Sequence, residues 1–74
     1  SVISAPKLAS MDIEDAKRTL ADLNLGCVVF YHETKQFRRG MVISQDPIEG
    51  SEMLMGENVK IFVAVPSTRE LQGL

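Results

Sequence analysis

The residues of this chain most able to do chemistry are its lone cysteine and lone histidine, Cys27 and His32. A thiolate nucleophile is favoured by a helix N-terminus or a neighbouring base, whereas Cys27 stands in an apolar run that is typical of a strand. His32 ends that run, and the chain offers neither a second histidine nor a cysteine pair to complete a metal site. Both residues are therefore predicted to be structural, and we expect no catalytic residue, metal or cofactor.

An acidic cluster, Asp12, Glu14 and Asp15, stands where a helix is predicted to begin. The helix macrodipole favours negative charge there, so the cluster needs no catalytic explanation. The chain has no phosphate-binding loop, because its glycines follow the spacing of turns. An enzyme in its own right is thus the weakest hypothesis, for want of a paired acid, base or nucleophile.

A basic stretch with one aromatic residue, Lys35-Gln36-Phe37-Arg38-Arg39, has two interpretations. The simpler one is a solvated loop between two strands. The sharper one is a contact for a ligand that carries a carboxylate or phosphate, since arginine pairs planar oxyanions in bidentate fashion.

An apolar triplet, Met53-Leu54-Met55, lies in a region otherwise rich in turn residues. We expect one or two of these side chains to plug the open end of the core. The alternative is an exposed methionine-rich patch for a partner.

The elements that would position these residues follow from hydrophobic periodicity. Asn58–Val65 alternates with a period of two, which predicts a strand with one face against a core. Met41–Ile43 and Cys27–His32 are shorter β-branched or apolar runs, and the first nine residues are extended around Pro6.

One helix is predicted, over Asp12–Leu23, with Asp12 as N-cap and Asp15 placed to reach back to it. Its apolar residues share one face. Asn24 is expected in a left-handed conformation after the helix, with Leu25 folding back on Leu20 in a Schellman cap.

Length and composition set the outer limits. Seventy-four residues allow one domain with a thin core. The net charge of -2 argues against a nucleic-acid partner, and one cysteine allows no internal disulfide. No apolar run is long enough to span a bilayer, so we expect no direct membrane contact from this stretch. Because the chain begins at Ser1, we interpret it as a module of a longer protein, with a domain at 1–66 and a tail or linker at 67–74.

The order and spacing of the second half resemble the PASTA domain, a small extracytoplasmic module of bacterial penicillin-binding proteins and transmembrane Ser/Thr kinases. The pattern is G-x-V-I-x-Q-x-P-x-x-G, about five residues, and then G-x-x-V-x-I-x-V. It is carried here by Gly40, Val42, Ile43, Gln45, Pro47, Gly50, Gly56, Val59, Ile61 and Val63.

The resemblance extends over the first half, so that it runs from Ile3 to Val65. Pro6 and Met11 match the family pattern before the helix, while Ser10 and Asn24 stand where glycine is usual. Asparagine tolerates a left-handed conformation well. Serine does not, so we expect the approach to the helix to differ locally at Ser10.

The resemblance implies an α+β fold, a single small β-α-β-β domain in which one helix packs on a three-stranded, mainly antiparallel sheet. It implies a non-catalytic module outside a bacterial membrane, in a transpeptidase or a receptor kinase. Such a module would weakly recognise uncrosslinked peptidoglycan fragments, through the stem peptide, and β-lactams as mimics of that peptide.

The family's ligand contacts are not a fixed motif, so the candidate ligand-binding residues rest on their chemistry alone: Arg38, Arg39 and Gln45. The alternative function is a structural spacer that docks on a neighbouring domain of the same chain without binding ligand. That alternative predicts an exposed apolar patch around Phe37, Met53 and Met55.

Overall fold

One helix and five strands form the domain in a computed structural model that describes residues 2–66. The elements in chain order are β1 (Val2–Ser4), α1 (Ile13–Asp22), β2 (Gly26–Glu33), β3 (Val42–Asp46), β4 (Glu52–Leu54) and β5 (Asn58–Val65). The predicted tail at 67–74 lies outside the described residues. The α+β class, with one helix on a three-stranded sheet, is confirmed.

The three-stranded sheet has the order β2-β5-β3, so β5 is central. β3 pairs with β5 antiparallel, as predicted, with a register shift between Val42 and Ser44. β2 pairs with β5 in parallel over its whole length, from Gly26↔Asn58 to Glu33↔Val65. The expectation of a mainly antiparallel sheet is therefore wrong for the longest pair. The physical reason is the long connection between β2 and β5, which carries β3 and β4 and returns the chain to the end where β2 began.

A second sheet, which the sequence pattern did not predict, pairs β1 with β4 antiparallel and places Ile3 opposite Met53. β4 is only three residues long and lies in a stretch expected to be a turn. Its alternation turns Met53 inward, where it is 4% exposed, and leaves Leu54 on the surface. Met55 is exposed in the turn that follows β4. The prediction that part of the triplet plugs the core is confirmed.

The ends of α1 follow local sequence chemistry. At the C-terminal end, Leu25 N–H donates to Leu20 O (2.9 Å) and Asn24 N–H donates to Ala21 O (3.0 Å), with Asn24 at φ 58°. This is the predicted Schellman cap. At the other end Asp12 occupies the N-cap position, but its side chain makes no capping hydrogen bond.

Ser10 adopts φ 78°, the region that glycine favours, although it carries a side chain. The neighbouring backbone fixes this conformation. Ser10 N–H donates to Val42 O (2.9 Å), and Val42 N–H donates to Met11 O (2.8 Å). The strand-like contact with β3 therefore holds the approach to the helix in place, and the serine accepts the left-handed conformation.

The core lies between the face of β5 that carries its alternating apolar residues and the inward sides of α1 and the small sheet. Its largest fully buried side chains are aliphatic: Leu8, Leu20, Val42, Val59, Ile61 and Val63. All four aromatic residues of the chain lie outside this core. Phe30, Tyr31 and Phe37 are exposed, and Phe62 is half-buried.

Candidate functional site

An open cleft of about 550 Å³ lies where the start of α1 meets the carboxyl-terminal ends of β2 and β5. We call it the Tyr31 cleft. Its lining consists of Ile13, Glu14 and Lys17 from α1, Tyr31 from β2, Arg39 and Gly40 from the connection to β3, and residues 63–65 of β5. It thus combines an apolar floor with two cationic side chains, one carboxylate and one phenol.

The fold brings these side chains together from distant parts of the chain. Gly40, at φ 83°, donates its N–H to Ala64 O (2.9 Å) and accepts from Ile13 N–H (2.9 Å). Those two hydrogen bonds join the connection before β3 to both the end of β5 and the first turn of α1. Arg39, next to this junction, is therefore carried to the mouth of the cleft.

Arg38 points to a different contact from its neighbour. Its guanidinium Nη2 lies 3.2 Å from Asp12 Oδ1, in an ion pair whose side chains are both more than half exposed. The Asp12 carboxylate thus faces the arginine and makes no N-cap hydrogen bond. Arg38 and Arg39 are thus adjacent in sequence, but only Arg39 lines the cleft.

Gln45, the third predicted ligand contact, uses its amide within the protein. Its Oε1 accepts from Leu8 N–H (2.7 Å), and its Nε2 donates to Pro6 O (2.8 Å) and Pro47 O (3.1 Å). Both amide hydrogens and the oxygen are therefore engaged. The side chain clips the segment after β1 to the end of β3, and it does not line the Tyr31 cleft.

Two residues of the cleft, Lys17 and Tyr31, were not singled out by sequence reasoning. Lys17 follows Ile13 by four residues, a spacing that places both on one side of a helix. That signal was available. No feature of the sequence indicated Tyr31. A residue within an apolar strand is predicted to be buried in the core, whereas Tyr31 is 65% exposed.

The remaining reactive groups have structural surroundings. Burial raises the pKa of the Cys27 thiol above its ordinary value, and the positive charge of Lys17 offsets only part of that rise. The thiolate is correspondingly scarce near neutral pH. His32 lies exposed in the last part of β2. Among residues 2–66, no three His, Cys, Asp or Glu side chains are grouped to hold a metal ion.

The apolar patch expected of a docking module does not form as predicted. Phe37 and Met55 are exposed, but Met53 is buried in the core. The prediction that these three residues share a surface is wrong because Met53 packs into the core from β4, whereas Met55 lies after the end of that strand, in the turn at residues 55–56.

The helix, the two sheets and the cleft belong to one small domain. The family model of the PASTA domain matches residues 3–65, and the chain belongs to this family. PASTA domains are non-catalytic sensing domains, and this module is not itself an enzyme. No curated protein matches the chain by sequence.

Two solved structures share the fold. One is the entire extracellular region of the Ser/Thr kinase PrkC from Staphylococcus aureus, with a TM-score of 0.82 and 18% identity over 92% of this chain and 24% of that one. The other is the three-PASTA-domain of a Ser/Thr kinase from Staphylococcus aureus, with a TM-score of 0.75 and 14% identity over 85% of this chain and 32% of that one. The chain thus spans about a quarter of the first structure and about a third of the second. No helix within the described residues is long and apolar enough to cross a bilayer.

Proposed function

We propose that this domain works outside a bacterial membrane, in a receptor kinase or a transpeptidase, as a module that weakly recognises uncrosslinked peptidoglycan fragments. The observation that carries the proposal is that two cationic side chains, Lys17 and Arg39, both line the Tyr31 cleft. Family membership supports the sensing role, and the extracellular origin of the structural relatives supports the location.

The chemistry of the cleft suits the stem peptide of such fragments. Arginine and lysine pair with carboxylates, and the phenol of Tyr31 offers both an apolar ring and a hydrogen-bonding hydroxyl. Arg39 is the principal candidate contact. Arg38 contributes less, because its guanidinium already pairs with the Asp12 carboxylate. To bind a ligand it would have to break that ion pair or contact both carboxylates at once.

The affinity is expected to be low, because the cleft is open and shallow. Such a surface buries only part of a ligand. The favourable free energy of the contacts must first offset the translational and rotational entropy that the ligand loses on binding. β-Lactams, as mimics of the stem peptide, fall under the same proposal with the same site.

An NMR titration of the isotopically labelled domain with synthetic muropeptides, and separately with a β-lactam, tests this. We expect amide shifts to cluster at Lys17, Tyr31, Arg39 and Gly40. A muropeptide whose carboxylates are converted to amides should shift them much less, because the ion pairs are lost.

Matched variants make the test specific. Arg39→Ala and Lys17→Ala should each weaken binding about fivefold or more, in the range of a charge-assisted hydrogen bond. Arg18→Ala is the control, since Arg18 is one residue from Lys17, pairs with Asp15 at 3.1 Å and does not line the cleft.

Absence of shifts at roughly 10 mM ligand, where even a weak surface site would be occupied, would overturn the proposal. In that case the role of a structural spacer, docked on a neighbouring domain of the same chain, would take its place.

A further inference from the structure

The Tyr31 cleft contains a carboxylate as well as its two cations. Among the described residues that line it, Lys17 and Arg39 are positive and Glu14 is negative. The proposed function uses the two cations to hold the carboxylates of a stem peptide and gives Glu14 no role. A carboxylate in the same cleft repels those of the ligand, so the presence of Glu14 limits which ligands fit.

The start of α1 favours acidic side chains in general, but the three that occur there have different surroundings. The carboxylate of Asp12 pairs with Arg38 at 3.2 Å, and that of Asp15 pairs with Arg18 at 3.1 Å. Neither of these carboxylates lines the cleft. The side chain of Glu14 lines it and makes no ion pair or hydrogen bond with any described residue. Of the three carboxylates, that of Glu14 is therefore the one available to a ligand.

The two cations of the cleft do not neutralise Glu14. Lys17 follows Glu14 by three residues, a spacing at which helical side chains can pair. Within residues 2–66 no such pair forms, and the positive charge of Lys17 acts instead on the thiol of Cys27 in β2. Arg39, on the connection to β3, likewise pairs with no described carboxylate. The cleft thus presents three separate charges, two positive and one negative.

From this arrangement we infer that Glu14 selects ligands that carry a free ammonium group beside their carboxylates. The inference rests on the proposed function and deepens it, since it names the ionic form of the stem peptide that the cleft takes. Lys17 and Arg39 pair with the carboxylates, and Glu14 pairs with the ammonium. A zwitterionic ligand therefore satisfies all three charges of the cleft at once.

This selection gives the cleft a chemical reason to prefer uncrosslinked peptide. A cross-link between stem peptides converts the free amine of one of them into an amide. The ammonium has a positive charge and three N–H donors, whereas the amide is neutral and keeps one N–H, so the ion pair with Glu14 is lost. Glu14 is thus a residue of specificity more than of affinity, because an exposed ion pair contributes little to binding.

Two forms of one synthetic muropeptide test the inference. One has a lysine-containing stem peptide with a free carboxyl terminus, and the other is the same peptide acetylated on the lysine side chain. NMR titration gives the dissociation constant of each form for the wild-type domain. We expect acetylation to weaken binding about threefold, the scale of an exposed ion pair. In Glu14→Gln, which keeps the size of the side chain and removes its charge, the two forms should bind equally.

Asp15→Asn is the matched control, because Asp15 is next to Glu14, pairs with Arg18 and does not line the cleft. This variant should keep the preference for the free amine. Loss of the preference in Asp15→Asn would overturn the inference, since the general charge of the helix start would then be its cause.

The remaining outcomes separate the inference from the proposed function. Equal binding of both forms by the wild-type domain, or an unchanged preference in Glu14→Gln, overturns the inference and leaves the proposed function standing. Absence of binding by either form overturns both. Because each comparison is made between two peptides on the same variant, a small loss of stability in a variant does not affect the result.

Discussion

At the scale of single residues, Gln45 shows how a polar side chain serves the fold. Its amide joins Pro6 and Leu8 to the end of β3 across 37 to 39 residues of sequence. The segment after β1 and the end of β3 do not pair as regular strands, and the hydrogen bonds of the Gln45 amide connect them instead. Gln45 therefore belongs to the stability of the domain.

Gln45→Ala should lower the free energy of unfolding by about 2 kcal/mol or more, because it strands a backbone donor and two backbone acceptors that are partly buried. Ser44→Ala, at the exposed neighbouring position of β3, is the control and should cost little. Urea denaturation of the two variants measures the difference. Equal free energies of unfolding for the two variants would contradict the prediction, because they would show that water replaces the Gln45 hydrogen bonds at no cost in stability.

Ser10 and Asn24 both occupy left-handed conformations, at φ 78° and 58°. Serine is strained there, whereas asparagine is tolerated. Ser10→Gly should therefore stabilise the domain by about 0.5 kcal/mol. This net value is the backbone strain that glycine relieves in the folded state, minus the cost of the greater conformational freedom that glycine has in the unfolded chain. Asn24→Gly should change stability less. Thermal unfolding of both variants tests this, and a larger gain at Asn24 would contradict it.

At the scale of elements, β4 shows how three residues can seal a core. Met53 is buried between Glu52 and Leu54, which are exposed. Met53→Ala should cost about 2–3 kcal/mol, from lost burial and the cavity left behind. Leu54→Ala removes a similar apolar side chain that is 55% exposed, and should cost much less. Chemical denaturation of this pair is the measurement, and comparable losses would mean that β4 does not seal the core.

The elements whose residues carry their own signal were predictable from the sequence. β5 alternates because one face is buried, and the end of α1 is marked by Asn24 and Leu25. The parallel pairing of β2 with β5 was not predictable, since it depends on where a long connection leads. β4 was missed because three residues are too few to show a period. The Tyr31 cleft was missed as a unit because it exists only where α1, β2 and β5 meet.

At the scale of the whole molecule, two sheets of unequal size share one core. β2 and β5 pair over eight residues each, whereas β1 and β4 pair over three. The small sheet is joined to the core through Met53. The hydrogen bonds of Ala5 with Ser51 O (2.8 Å) and Gly50 N–H (2.9 Å) prolong the pairing of β1 with β4. The larger sheet holds most of the pairing in the domain.

Amides of β1 and β4 should therefore exchange through openings of lower free energy than those of β5, since local stability follows pairing and burial. Native-state hydrogen exchange at increasing denaturant measures both groups in one sample. Opening of the two sheets at a single common free energy would show instead that the domain unfolds only as one unit.

The placement of the aromatic residues outside the core has a spectroscopic consequence. The chain has no tryptophan and one tyrosine, and that tyrosine lines the cleft. Its emission should change little when the domain unfolds, because the ring is already largely in water. It should respond when a molecule covers it. The protein thus contains an intrinsic fluorophore that reports occupancy of the cleft, so that ligands can be screened without any attached dye.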